Sequence, residues 1–133
     1  MLQTKSLTKK ISKEIQMRLQ DVQAYIYIYK GVFMYIVLNN FRIKIGCEKE
    51  FEKVWKSRDS HLDGVSGFID FHLIKGQTFK DHTMYASHST WESQDSFYAW
   101  VHSESFRLAH KNAGKHSNLY LGPPRLEEYT VVI

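Results

Sequence analysis

Residues 34–43, MYIVLNNFRI, set out two rows of side chains at the period of a β-strand. Tyr35, Val37, Asn39, Phe41 and Ile43 form one row, and Met34, Ile36, Leu38, Asn40 and Arg42 the other. Both rows are largely apolar through their first half, so this strand requires cover on both faces. Ile45-Gly46 then turns the chain into a helix predicted over 48–58, where Phe51, Val54, Trp55 and Arg58 share a face at helical spacing. Only the first three are apolar, so the helix packs by its centre. The turn 63–67, DGVSG, leads into a second strand over 68–75. Polar residues 76–82 read as a hairpin loop before a third strand over 83–91. Ser93 caps a helix with Asp95 in its first turn and Phe97, Trp100 and Val101 on its apolar face. Ser103 starts a second, shorter helix, with Phe106, Ala109, His110 and Ala113 along one side. The loop 116–124, containing Gly122-Pro123-Pro124, precedes a last strand over 126–133.

The order β-α-β-β-α-β predicts an α+β fold of ferredoxin-like type, a four-stranded antiparallel sheet with helices on one face. The other face still has apolar side chains to hide. A second copy of the chain is the simplest cover, which predicts a homodimer.

The segment ahead of this domain has a different character. Over 5–22, Leu7, Ile11, Ile15, Leu19 and Val22 fall on one side of a helix, with lysines elsewhere. Residues 1–33 are therefore read as a basic N-terminal extension and 34–133 as the domain proper. The extension is open to three readings: a helical arm, a basic amphipathic surface binder, or translated sequence upstream of the natural start. The last has one specific support. Lys30-Gly31-Val32-Phe33-Met34 can be encoded AAA GGA GTT TTT ATG, which places a purine-rich ribosome-binding sequence just before an initiator codon.

Charge divides at the same place. The 133 residues carry 18 Lys/Arg and 14 Asp/Glu, a formal net charge of +4. Residues 1–33 hold six basic and two acidic residues, whereas 34–133 hold twelve of each. The domain is thus balanced, and a nucleic-acid partner is not expected from its bulk charge. A composition of 43% hydrophobic and 24% charged residues describes an ordinary globular domain. The single cysteine, Cys47, excludes an internal disulfide and any multi-cysteine metal centre, and favours a cytoplasmic location. The apolar patch 24–29 is too short to span a bilayer, so stable membrane insertion is not expected.

Phosphate-binding glycine loops, HExxH, CxxC and nucleophile elbows are absent. The chemical lead is seven histidines, all after residue 60. His61, His72, His82 and His88 lack tight ligand spacing, which argues against a closed zinc site, although His72 and His88 lie on strands and could line a cavity. His110, one turn after Phe106 on a mainly apolar helix face, is either a packing histidine or a neutral imidazole ligand in an apolar cavity, an arrangement suited to haem iron. Trp100 reads first as core. Asn39, an amide at the centre of an apolar strand, either satisfies backbone groups or presents its NH₂ to a ligand.

Together, Leu38-Asn39-Asn40-Phe41, Phe97-Tyr98-Ala99-Trp100 and Ser105-Phe106-Arg107-Leu108-Ala109-His110-Lys111 resemble the IsdG-type haem-degrading monooxygenases of the antibiotic biosynthesis monooxygenase superfamily. Thr90-Trp91 and Gly67-Phe68 fit the same frame. The stretch from His110 to Gly122 looks most like the rhizobial and other Gram-negative branch. Asn40 departs from the pattern, standing where an Arg often follows the catalytic Asn. Residues 1–33 have no counterpart in the family core. The resemblance implies a dimeric α+β barrel with one haem per subunit. It implies His110 as ligand to haem iron, Asn39 as a hydrogen-bond donor on the opposite side, and Trp100 pressing on the macrocycle. Phe106 joins them in contacting haem, which serves as substrate and cofactor. O₂ and an external electron donor, a reductase or a small-molecule reductant, complete the reaction. Arg107, Lys111 and Lys115 are candidates to pair with propionates, and the loop over 112–120 is a candidate lid. The alternatives are a cofactor-independent monooxygenase of the same superfamily acting on quinols or polyphenols, and a non-catalytic haem-binding dimer.

Overall fold

The computed structural model describes residues 34–133, together with Lys9, Lys10, Ser12 and Lys13, which are helical and exposed. The rest of the helix predicted over 5–22 lies outside the described residues. The chain divides into a unit Met1–Phe33 and a unit Met34–Ile133. No helix among the described residues is long and apolar enough to cross a membrane.

The second unit is α+β, built on one four-stranded antiparallel sheet. Strand β1 (Tyr35–Lys44) leads to helix α1 (Glu48–Lys56), then to β2 (Phe68–Thr78) and β3 (His82–Trp91). Helices α2 (Gln94–Val101) and α3 (Glu104–His110) and a 3₁₀ turn (Ser117–Leu119) follow before β4 (Arg125–Thr130). The strand order is β2-β3-β1-β4, every neighbouring pair antiparallel. The expected dimeric α+β barrel is not found. Among the described residues β2 pairs with β3 alone and β4 with β1 alone, so the sheet is open, with an edge at each side. Four strands are also too few to curl around a packed interior of their own.

Both helix starts follow from their caps. The Ser96 N–H donates to Ser93 Oγ at 3.1 Å, and the Phe106 N–H to Ser103 Oγ at 3.1 Å, satisfying donors that the first turn leaves open. The hairpin is tighter than the polar run 76–82 suggests. β2 continues through Thr78 across a register shift after Lys75, and the Thr78 and Thr83 hydroxyls share a hydrogen bond of 3.0 Å.

Every odd-numbered position of β1 faces the helices, and two buried clusters form there. Tyr35 and Val37 join Trp91, Phe97, Trp100 and Leu62 in the first. Phe41 and Ile43 join Phe51, Tyr85 and Leu119 in the second. Trp55 of α1 stacks on Phe71 of β2 at 5.9 Å, and Phe51, the buried centre of α1, packs on Tyr85 at 4.8 Å. Gly67 fixes how closely the first cluster can be closed. At φ +78° it lies against Ser96 in the first turn of α2, so that a Cβ there would stand 2.1 Å from Ser96 Oγ.

Candidate functional site

Between the two clusters the helix-facing row of the sheet is interrupted. Asn39 stands between Val37 and Phe41, directly opposite Ser87 of β3 and Leu126 of β4. The amide is half-buried, and among the described residues its side chain has no hydrogen-bond partner. Asn40, on the other face, differs sharply. Its Nδ2 donates to Glu127 Oε1 at 2.6 Å and to the Arg125 carbonyl at 3.2 Å. Strand alternation thus separates a committed amide from an uncommitted one.

Helix α3 carries His110 at its last position, where main-chain carbonyls lack intrahelical partners. His110 Nδ1 lies 2.8 Å from the Phe106 carbonyl. A carbonyl can only accept, so Nδ1 carries the proton and Nε2 keeps its lone pair. The ring stacks on Phe106 at a centroid distance of 4.0 Å and 26°. Although His110 is open to solvent, enough protein surrounds it that desolvation lowers its pKa. The Phe106 bond opposes this and the nearby Arg58 charge adds to it. The imidazole is held in the neutral, ligand-competent form.

His110 borders an open groove of about 530 Å³ between α2 and α3, whose wall includes Val101, Ser103, Phe106 and Lys111. Trp100 stands behind this wall. It is 7% exposed, packed 6.2 Å from Trp91 and edge-on to Phe106 at 5.6 Å. The structure therefore joins Trp100, Phe106 and His110 into one chain of ring contacts. No hydrogen bond or ring contact links Asn39 to them among the described residues.

The candidate cations separate. Arg107 is paired with Glu104 through both ends of its guanidinium. Lys111 lines the groove and Lys115 is exposed outside its wall. Arg58, beyond α1, donates from Nη2 to the Ala109 carbonyl at 3.1 Å and lies 4.7 Å over the Trp55 ring. It ties α1 to α3. The loop expected as a lid over 112–120 is held at its far end, where Leu119 is buried in the second cluster and Tyr120 bridges to Ile43.

Two features escaped the sequence reading. His102, at the end of α2, lines the same groove as His110, and its Nδ1 likewise donates to a carbonyl one turn back, Tyr98, at 2.7 Å. A histidine just past a helix end is the signal, because unsatisfied carbonyls collect there. The second feature is a triad of Asp70, His72 and His88, whose ligand atoms lie within 4.8 Å of one another. The histidines are sixteen positions apart in the chain, but the hairpin register sets them directly opposite each other.

Residues 34–112 match the family model for antibiotic biosynthesis monooxygenases. Among curated proteins, a staphylobilin-producing heme oxygenase of Staphylococcus epidermidis is 31% identical over 84 residues, 62% of this chain and 78% of that protein. Among solved structures, the heme-degrader MhuD from Mycobacterium tuberculosis, with two hemes bound in its active site, is 26% identical at a TM-score of 0.56. It covers 74% of this chain and 96% of its own. A conserved protein from Methanosarcina mazei shares the fold at a TM-score of 0.55 with 16% identity, over 77% of this chain and 96% of that one.

Proposed function

The chain belongs to the antibiotic biosynthesis monooxygenase family, and from that premise we propose that it binds haem through His110 and opens the porphyrin oxidatively, releasing iron. The observation that carries this reading is the Nδ1 bond from His110 to the Phe106 carbonyl, which leaves a neutral Nε2 as the ligand atom beside an apolar groove. The groove volume falls in the range of small-molecule and cofactor sites, roughly 300–1,000 Å³. The 31% identical relative being a heme oxygenase, and MhuD a heme-degrader, supports the same substrate.

In this reading the residues divide the work. His110 holds the iron, and Phe106 fixes the imidazole plane by stacking on it. Trp100, braced between Trp91 and Phe106, would stiffen from behind the wall on which the macrocycle rests. Asn39 offers an uncommitted amide N–H₂ from the sheet. Lys111 is the cation we assign to a propionate, since Arg107 is already engaged by Glu104. When bound, haem supplies both the metal that activates O₂ and the carbon that is oxidised, so it is substrate and cofactor together. Electrons come from an external donor, a reductase or a small reductant. The single Cys47 suits a cytoplasmic site of action.

Half-buried Ile36 and Leu38 and exposed Ile74 and Tyr129 on the open face suit a homodimer, which sedimentation would detect. The narrower placement beside the Gram-negative branch rests on the stretch from His110 to Gly122, and a family tree tests it. Comparing initiation at Met1 and at Met34 in the native transcript tests the basic extension.

The deciding experiment adds haemin to the full chain and looks for a stoichiometric Soret complex. A reductant is then supplied under air while chromophore loss and iron release are followed. Absence of a complex overturns the haem reading and leaves a cofactor-independent monooxygenase. A stable complex that never turns over leaves a haem-binding protein. His110→Ala is expected to abolish the histidine-ligated spectrum. Because His102 lies in the same groove, the double variant with His102→Ala shows whether it substitutes.

A further inference from the structure

The face of the sheet turned away from the helices carries a second set of ligand-bearing side chains. His72 of β2 and His88 of β3 are cross-strand partners, with ring centroids 6.4 Å apart. Asp70 shares their face, two residues before His72, and the register shift between Phe68 and Asp70 aligns it opposite Thr90. The three ligand atoms gather within 4.8 Å. We propose that Asp70, His72 and His88 bind a divalent first-row transition ion, at a site separate from the groove of His110.

Three observations support this. First, the donor set is two imidazoles and one carboxylate, borderline ligands that select Zn²⁺, Co²⁺ or Fe²⁺ over Mg²⁺ and Ca²⁺. Second, these side chains have no hydrogen bond or ion pair among the described residues, whereas other polar groups on the same face satisfy one another. Asn40 donates to Glu127, and the Tyr129 hydroxyl donates to the other Glu127 oxygen. Third, the donors approach from one side. Two come from alternate positions of β2 and one from β3, which leaves the solvent side of an ion open for water or another ligand. Ligand atoms about 2.0–2.2 Å from a tetrahedral ion stand roughly 3.5 Å apart, within the span these three occupy, and small rotations of the side chains complete the site. Asp70 and His72 are exposed on the edge strand β2 of the single chain, at the margin of the face proposed to meet a second copy.

An ion here would staple β2 to β3. It would also be independent of haem, because Asp70, His72 and His88 lie on the sheet face opposite α3.

The test uses the full, haem-free chain, stripped with chelator and titrated with Zn²⁺ by calorimetry and with Co²⁺ by visible absorption. One equivalent per chain is expected, with a rise in Tm as Zn²⁺ binds only the folded form. His72→Ala, His88→Ala and Asp70→Asn are each expected to weaken Zn²⁺ binding at least about tenfold and to remove the Co²⁺ spectrum. His110→Ala is expected to leave both unchanged. Mg²⁺ is expected not to compete. Unchanged Zn²⁺ affinity in His72→Ala, or no saturable binding by the unaltered chain, overturns the proposal. If His88→Ala fails to fold, the exposed His72 and Asp70 variants decide the outcome.

Discussion

The two faces of the sheet are made by the same strands, yet they solve different problems. Towards the helices, Tyr35, Val37, Phe41 and Ile43 are buried in aromatic clusters, and Asn39 is the half-buried amide between them. On the other face Ala86 is buried at 6% exposure, Ile74 is 43% exposed, and polar side chains pair among themselves or gather as potential ligands. A period of two residues is enough to keep these chemistries apart. A polar group on the packed face needs a purpose or a partner, whereas on the open face water is the default partner.

The largest effect should come from the packed face. Trp91→Ala removes a ring that touches Phe68, Phe97 and Trp100, and urea unfolding is expected to show a loss of about 3–5 kcal/mol. Ile74→Ala on the open face should stay within about 1 kcal/mol. Equal losses would mean that the two faces are packed alike.

Next come the two adjacent amides. If Asn39 acts on bound haem, Asn39→Ala should retain haem affinity and slow turnover by about 10²-fold, the scale for removing one aimed donor. Asn40→Ala, one residue away but on the other face, should leave the rate within about twofold in the same haem-loss assay. The reverse pattern would assign the reaction to the wrong face.

Gly67→Ala should destabilise by about 2 kcal/mol or more, since it joins a positive φ to a collision with Ser96. Gly64→Ala is the control, with a similar φ and open space around it. Equal losses would assign the effect to backbone strain alone.

The smallest effect is a titration. Tyr35 donates to Glu128 on the packed face and is pushed up to about 12 by burial, with the Glu128 bond and charge adding to it. Tyr129, exposed on the other face, is raised chiefly by its bond to Glu127. A phenol pKa raised in the folded state means that the native protein holds the proton longer than the unfolded chain does. The associated stability is present below the ordinary phenol range and is lost as pH rises towards about 12. Phenolate absorbance of Tyr35→Phe against Tyr129→Phe should show the group titrating near 12 missing only in the former.

Much of this arrangement was legible in the sequence. The alternation over 34–43 separated the faces correctly, and Ser93 and Ser103 announced two helix starts that the structure confirms. What was not legible depended on pairing between distant segments. The His72–His88 pair exists only through hairpin register, and whether the outer strands β2 and β4 find further partners is not written in the spacing of either strand. Leu119 and Tyr120 looked like loop residues because their partners, Phe41, Ile43 and Phe51, are roughly seventy residues away in the chain.

Helix α3 has no buried residue along its seven, and Arg58 is a side chain that reaches across to its Ala109 carbonyl. A segment with so little buried area opens at low free energy while its neighbours stay folded. The iron-ligand candidate therefore rides on a thinly buried helix, held by Phe106 and Ala109 against the first cluster and by the Arg58 guanidinium. Amide exchange across Glu104–His110 should be fast in the empty protein and slow once the groove is filled. The rate at which substrate enters would then be set by how often this helix lifts from the cluster beneath it.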